Sequence, residues 1–487
     1  MVSALTFNRA GGAPVDYRIN NMRCEKFAEP VGVDARQPRL SWTADSDVRG
    51  QKQTACQILV ASSLDRLTDA KADMWNSGKV ESDDSLNILY DGAALASHTT
   101  YYWKVRCWDK DGRPSNWSAP AEWTTGLLDP AEWTAQWIGA DWEAGEGLPL
   151  FRRQFNLDQP VRKALVSVCG LGHYELFLNG RQVGDHFLDP ARSNYGKTVY
   201  CTTYEITDML VRGDNVFGVM LGKGFYNTQG DRRRRRVHTD NPLILILQAR
   251  VEYADGTGET IISDARWKTA PGPILHSSLL GGTDYDARRM PGGWCETGFA
   301  DGKWENAVVR PGPGGRLRAS EMPPMRVFDS LAAVSVDEPE PGIFVYDFGQ
   351  NASAKPRLRI RGEAGQTVTL YPAEYRQGHT GNANNGKGRV DQASVQAPTY
   401  WQYTLVGDDD EEVWTPDFTY SGYQYIEVHG AVTAEHANPD GAPVIEELQS
   451  LHVRNASRPV GDFSCSEPLC NAVNRLVEWS VRSNMGN

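Results

Sequence analysis

Residues 99–109 read TTYYWKVRCWD, and their side chains alternate in character. Tyr101, Trp103, Val105 and Cys107 fall on one face, while Tyr102, Lys104, Arg106 and Trp108 fall on the other. A period of two with one apolar face is the pattern of a strand buried on one side. Such a strand needs a second layer to cover its apolar face. Similar short extended runs, separated by turn residues, fill most of the 487 residues. The chain is therefore predicted to be mainly β, built from consecutive β-sandwich domains with one short C-terminal helix.

Three stretches organise these strands. Residues 17–128 hold RLSWTA (39–44), CQILVAS (56–62) and the alternating run at 99–109, which is followed by the turn pair Asp111-Gly112. Strands at this spacing over about a hundred residues predict a fibronectin- or immunoglobulin-like sandwich. Residues 131–325 hold YELFLNGRQVGD (174–185), two extended runs joined at Asn179-Gly180, a pair that favours the type I′ hairpin turn. The same stretch holds NVFGVMLGKGF (215–225) and LILILQARVEY (243–253), so a second, larger sandwich is predicted. RPGPGGR (310–316) and MPP (322–324) break structure and lead to a third sandwich over 326–457. Its strands are IFVYDFGQN (343–351), QTVTLYPAEY (366–375), YWQYTLVG (400–407) and YQYIEVHG (423–430), with the Gly- and Asn-rich loop GHTGNANNGKG at 378–388. Residues 458–487 end differently. Ser466 is a good N-cap and Pro468 sits in a first helical turn. Leu469, Val473, Leu476, Val477 and Val481 then recur at helical spacing as one apolar stripe.

Composition narrows the function classes. The length suggests roughly three domains, and 40% apolar with 23% charged residues is ordinary globular composition. A formal net charge of −12 argues against a general nucleic-acid binder. No stretch of ~18 apolar residues occurs, so no membrane partner is expected. The N-terminus has no basic start followed by an apolar run, so a soluble, cytoplasmic chain is expected. The eight cysteines are scattered without a C-x-x-C pair, and Cys56 and Cys107 read as small core hydrophobes. Arg232 to Arg236 are consecutive. They read as a solvated loop between strands, with a basic loop meeting an acidic sugar such as a uronate as the alternative.

Motifs for chemistry are sparse. The chain has no G-x-S-x-G, no P-loop and no H-E-x-x-H, and Gly170 and Gly172 lack the following helix of a dinucleotide fingerprint. Paired carboxylates remain as a route to hydrolysis, with Asp347 and Glu374 as candidates. The 15 Trp are more telling. Trp42, Trp103 and Trp267 read as core, while Trp and Tyr at strand edges suit the apolar faces of sugar rings. No cofactor is required on this reading.

At this point several stretches resemble one family. DMWNSGKVESDDS (73–85), TTYYWKVRCWDKDGRPSNWS (99–118) and EWTAQWIGA (132–140) resemble the N-terminal module of bacterial α-L-rhamnosidases of glycoside hydrolase family 78. GLGHYELFLNGRQVGDHFLDP (170–190), LGKGFYN (221–227) and GGTDYDARRMPGGW (281–294) resemble the next module. VYDFGQNASAKPRLRIRGEAGQTVTL (345–370) and EVWTPDFTYSGYQYIEVHG (412–430) resemble the third. The resemblance implies an accessory N-terminal portion of an enzyme that removes terminal α-L-rhamnosyl groups from glycosides or glycans by inversion. In such a mechanism an acid protonates the leaving oxygen while a carboxylate activates water on the opposite face. GDFSCSEPLCNAVNRLVEWSVRSNM (461–485) is similar to the lead-in to the family's (α/α)6 barrel, which carries the catalytic acids. Residues 458–487 are thus expected to open a truncated barrel, no catalytic residue maps onto this sequence, and the helix stripe should be exposed. The alternative is a non-catalytic rhamnose-binding protein. The second module is also similar to carbohydrate-binding module family 67, a β-sandwich that binds L-rhamnose with calcium, which would give sugar-binding roles to Asn179 and Asn227. Three departures weigh against this. Leu178 rather than an acid precedes Asn179, Phe225 stands where the family often has Trp, and ARSNY (191–195) lacks an aromatic often found there.

Overall fold

The computed structural model describes residues 17–142, 146–232, 239–377, 388–395, 398–407 and 410–486. It is mainly β, as expected, with 46% of residues in strands. The chain divides into two compact units, residues 1–133 and 134–487.

The first unit is a two-sheet sandwich. One sheet pairs Arg18–Cys24, Arg39–Asp45 and Ile88–Leu89. The other runs in the order Val31–Val33, Ala121–Thr125, Thr100–Trp108, Ala55–Ala61, Trp75–Asn76. The alternation of the central strand is realised residue by residue. Tyr101, Trp103, Val105 and Cys107 are buried, and Tyr102, Lys104, Arg106 and Trp108 are half-exposed. Trp42, Trp103 and Trp123 fill the space between the layers. Cys56 lies opposite Cys107 in the ladder, and both are buried free thiols. Burial pushes their thiols up, to about 11 and about 12, so they act as inert packing groups.

In the second unit, residues 134–487, two sheets enclose a large apolar core. The six-stranded sheet centres on His173–Leu178, Gly213–Gly222 and Pro149–Leu157; the other centres on Ile244–Tyr253, Val161–Leu171 and Thr198–Glu205. Phe151, Leu176, Phe217, Leu247 and Trp267 form the centre of that core. The hairpin appears as the sequence predicts: Leu178 pairs with Arg181, and Asn179 and Gly180 both take positive φ, 51° and 79°. The remaining eleven strands make one hydrogen-bonded sheet. Its spine is the 19-residue strand Ile343–Arg361, whose register breaks between Asp347 and Ala352, where Gly349 has φ 71°. Such a break bends a strand. The N-terminal part of the spine pairs with Ser421–His429 and its C-terminal part with Val444–Asn455.

One hairpin lies across the sequence's apparent division. Ile274–Ser278 and Gly282–Asp286 belong to the 131–325 stretch, yet they extend the eleven-stranded sheet, Gly282–Asp286 running parallel to Tyr400–Thr404. Gly282 permits this approach: it has φ 95°, and a Cβ there would lie 1.7 Å from the Tyr400 carbonyl oxygen.

The helix α1 spans Pro468–Asn484. Its N-cap is Glu467 and not Ser466, because the Glu467 carboxylate reaches the Leu469 N–H at 3.2 Å, where the helix dipole favours negative charge. Trp479 packs against the ring of His452 (centroids 5.1 Å apart), and the Ser483 hydroxyl accepts from the Ser353 N–H at 3.3 Å. These contacts turn the apolar stripe outward: Leu469 and Leu476 are 69% and 71% exposed.

Candidate functional site

Where the six-stranded sheet meets the eleven-stranded one, the second unit encloses a cavity of about 250 Å³. Six separate stretches build it. His173 opens a strand of the first sheet, and Leu188, Ala191 and Arg192 lie on the connection that follows the hairpin. Phe225 follows the strand Gly213–Gly222, Leu279 and Leu280 form the turn of the crossing hairpin, Met325 opens the strand Met325–Ala332, and Tyr420 precedes the strand Ser421–His429.

The walls are pinned by hydrogen bonds. The Phe187 N–H donates to the Met325 carbonyl at 2.9 Å, and the Tyr174 N–H donates to the Asp189 carbonyl at 3.0 Å. The Asp189 carboxylate accepts from the Thr202 hydroxyl at 2.8 Å and meets His186 Nδ1 at 2.8 Å. Thr399 and Thr419 donate to the carbonyls of Leu280 and Leu279, each at 3.1 Å. Gly222 lets the two regions close together, since a Cβ there would lie 2.3 Å from Phe418 Cγ.

Three polar groups of this cavity have hydrogen-bonding capacity that the protein does not use. The Arg192 guanidinium lies 4.4 Å from the Phe225 ring centroid, a cation–π arrangement, and makes no ion pair among the described residues. The Tyr420 hydroxyl donates to no protein group among the described residues, and burial raises its pKa. His173 is buried and neither ring nitrogen has a hydrogen-bond partner among the described residues. The carbonyls of Leu188 and Asp189 lie near enough to favour a charged ring without reaching bonding geometry. Burial dominates, pulling His173 down to about 4, so the ring is neutral at pH 7. A second cavity of about 290 Å³ shares Met325 and Tyr420 and extends past Ser353 to the end of α1.

Deeper in the same seam, Glu175, Lys355 and Asp417 form a buried charge cluster. Burial, then the neighbouring Asp417, pushes Glu175 up to about 8. Burial likewise raises Asp417 to about 6 against the pull of Lys355, and lowers the Lys355 ammonium, which lies 4.1 Å from the Phe187 ring centroid. Burial thus opposes charge on all three groups, while the Lys355 ammonium favours the charged form of both carboxyls.

The residues singled out from sequence lie elsewhere. The Asn179 amide nitrogen donates to the Met209 carbonyl (3.0 Å) and Asn215 Oδ1 (2.8 Å), and its oxygen accepts from the Val216 N–H (2.8 Å). The Asn227 amide donates to the Asn241 carbonyl at 2.9 Å and accepts from the Gln229 N–H at 3.1 Å. Asn179 ties its turn to the 209–216 segment and Asn227 binds within residues 227–241, leaving each oxygen one lone pair. Calcium takes 6–8 oxygen ligands, and the polar partners of these two amides include no carboxylate, so the donor set fits calcium poorly. Among the described residues no group of three or more His, Cys, Asp or Glu is arranged to hold a metal.

Arg232 lies over the Tyr400 ring at 3.6 Å, donates to its carbonyl and pairs with Asp284, so it braces the crossing hairpin. Arg233 to Arg236, like most of the 378–388 loop, lie outside the described residues. Asp347 accepts from the Gly349 N–H (2.7 Å) and Gln424 (2.9 Å), and Glu374 from Asn351 (3.3 Å). Asp347 lies on one strand neighbouring Ser421–His429 and Glu374 directly follows the other, Thr367–Ala373, and neither lines the cavity. His173, Arg192 and Tyr420 carried no signal in the sequence, because nothing local links positions so far apart in the chain.

An immunoglobulin-like sandwich, a larger sandwich and a bent eleven-stranded sheet with a terminal helix define a modular β-sandwich protein. Family models fix which one. Residues 19–129 match the Rha78A-like N-terminal immunoglobulin domain, 159–329 the α-L-rhamnosidase N-terminal domain, and 337–453 the bacterial α-L-rhamnosidase concanavalin-like domain. The chain belongs to the α-L-rhamnosidases and corresponds to their N-terminal, β-rich region. An α-L-rhamnosidase of Formosa agariphila is 33% identical over 94% of this chain and 50% of its own length. The structure of an α-L-rhamnosidase from Dictyoglumus thermophilum matches with a TM-score of 0.85 at 32% identity, covering 96% of this chain and 52% of that one. The Streptomyces avermitilis α-L-rhamnosidase complexed with L-rhamnose gives 0.83 at 26% identity, covering 96% and 60%. The chain thus spans about half the length of the curated relatives it matches. No helix among the described residues is long and apolar enough to cross a membrane.

Proposed function

We propose that this chain is the accessory β region of an enzyme that hydrolyses terminal α-L-rhamnosyl groups by inversion, with the catalytic carboxylates supplied from outside these 487 residues. Rhamnose-containing glycosides or glycans are its partners. The observation that carries this reading is the ordered run of three rhamnosidase models along one chain. The exposed stripe of α1 supports it, since an amphipathic helix with its apolar face in water is one awaiting other helices. The test is turnover of 4-nitrophenyl α-L-rhamnoside by the purified chain. None is expected. Turnover that is lost on Glu374→Gln would instead place catalysis in the β-sheets.

A second reading, rhamnose binding without hydrolysis through Asn179 and Asn227, is favoured by their places in the matched N-terminal rhamnosidase domain. Calorimetric titration with L-rhamnose, with and without calcium, separates the two. No heat at millimolar sugar would remove both the rhamnose site and the calcium role.

A further inference from the structure

The geometry points to the cavity between the two sheets as a binding site for a single anionic sugar unit, its acidic group held by Arg192 and its ring lying on Phe225 and Tyr420. The inference extends beyond the rhamnosidase reading, because it concerns a different ligand chemistry and a site with no part in hydrolysis.

Four observations carry it. The first is size: about 250 Å³ lies just below the usual range for ligand pockets, which suits one small ring and not a chain. The second is the lining, an aromatic and aliphatic floor with a few polar groups converging on it, the composition that a sugar's apolar C–H face and polar edge require. The third is Arg192. In a chain of net charge −12, carboxylates are in excess, yet this guanidinium pairs with none among the described residues. Its stacking on Phe225 holds the planar fork in place, which lowers the entropy lost when a carboxylate or sulfate is gripped at two points. The fourth is the Tyr420 hydroxyl, which donates to no described residue, and the neutral His173 in the wall, whose ring nitrogens have no partner among the described residues. Buried polar groups are normally paired, and a group left open beside a cavity marks a place for a ligand or water. A hydroxylated ring supplies both donors and acceptors for them. Among the described residues that line the cavity, Arg192 carries the only full charge, which selects an anion.

The experiment is calorimetric titration of the 487-residue chain with D-glucuronate, D-galactose 6-sulfate and D-glucose, each repeated on Arg192→Gln and Tyr420→Phe. Saturable binding of at least one anionic sugar is expected, with glucose weaker on the order of 10-fold or more and Arg192→Gln removing that preference. Preference for glucuronate would assign a carboxylate ligand, and preference for the sulfate a sulfated one. Tyr420→Phe is expected to weaken all bound sugars severalfold, because it removes a hydroxyl contact common to them. Arg192 is exposed, so Arg192→Gln should leave the near-UV circular dichroism intact. No saturation by either anionic sugar at 20 mM, equal affinity for glucose, or unchanged binding in folded Arg192→Gln would each overturn the inference. L-rhamnose titration and aryl-rhamnoside turnover are separate measurements, so failure here leaves the rhamnosidase reading standing, and the reverse holds too.

Discussion

Leu476 on α1 offers a sharp test, because two readings of one apolar stripe predict opposite results. A stripe at helical spacing normally packs on its own domain, and truncating a packed Leu costs about 2–5 kcal/mol. Here Leu476 keeps 71% of its surface exposed, so folding removes less than a third of it from water. Full burial of a Leu side chain is worth about 1.5–3 kcal/mol, so Leu476→Gln should cost under about 1 kcal/mol. Trp479 is the internal control, since it is half-buried against His452 and the sheet. Trp479→Ala should cost about half the 3–5 kcal/mol of a fully buried Trp. Both are read by thermal unfolding followed by near-UV circular dichroism. Sedimentation velocity adds the second arm: concentration-dependent association of the parent chain should weaken in the double variant Leu469→Gln/Leu476→Gln. A loss of more than about 2 kcal/mol in Leu476→Gln, a value reserved for buried sites, would refute the outward-facing stripe.

Three further outcomes are expected. Asn179→Ala should destabilise the second unit by about 2–4 kcal/mol, from a left-handed Ala and an unpaired Val216 N–H, while Asn179→Gly should recover part of the loss by relieving the backbone; equal melting of all three proteins would contradict this. Gly222→Ala should prevent the two sheet regions from closing on Phe418, seen as loss of the cooperative thermal transition, whereas Gly256→Ala should cost only the strain of its positive φ because nothing lies within 4 Å of its Cβ. Glu175 has a folded pKa near 8 against 4.5 in the open chain, so the folded state holds its proton more tightly. Stability from this group is complete below about 4.5 and is lost as pH rises towards 8, by at most about 1.4 kcal/mol per pH unit. Glu175→Gln should flatten the fall in melting temperature between pH 5 and 8, and an unchanged slope would show that the carboxyl is solvated.

Local patterns were enough for everything that depends on neighbours in the chain. Alternation at 99–109 determined which residues of that strand face the core, since a side-chain period of two admits only that split or its inverse. Asn179-Gly180 determined a turn, because both residues must take positive φ. Helical spacing determined α1 and which residues share its apolar stripe, while the expectation that the stripe is exposed came from the resemblance to the family's barrel lead-in. Where the spacing said nothing about partners, only tertiary structure could decide. Ile274–Asp286 reads as part of the second region, yet it pairs with Tyr400–Thr404, because ladder hydrogen bonds are made by backbone groups that carry no sequence label. The N-cap moved from Ser466 to Glu467 because the caps compete through side-chain reach, not residue preference alone. The cavity is the extreme case. Resemblance drew notice to Phe225 and to the 191–195 stretch, but nothing local pointed to His173 or Tyr420, and the His173 ring lacks partners among the described residues because folding removes water from around it.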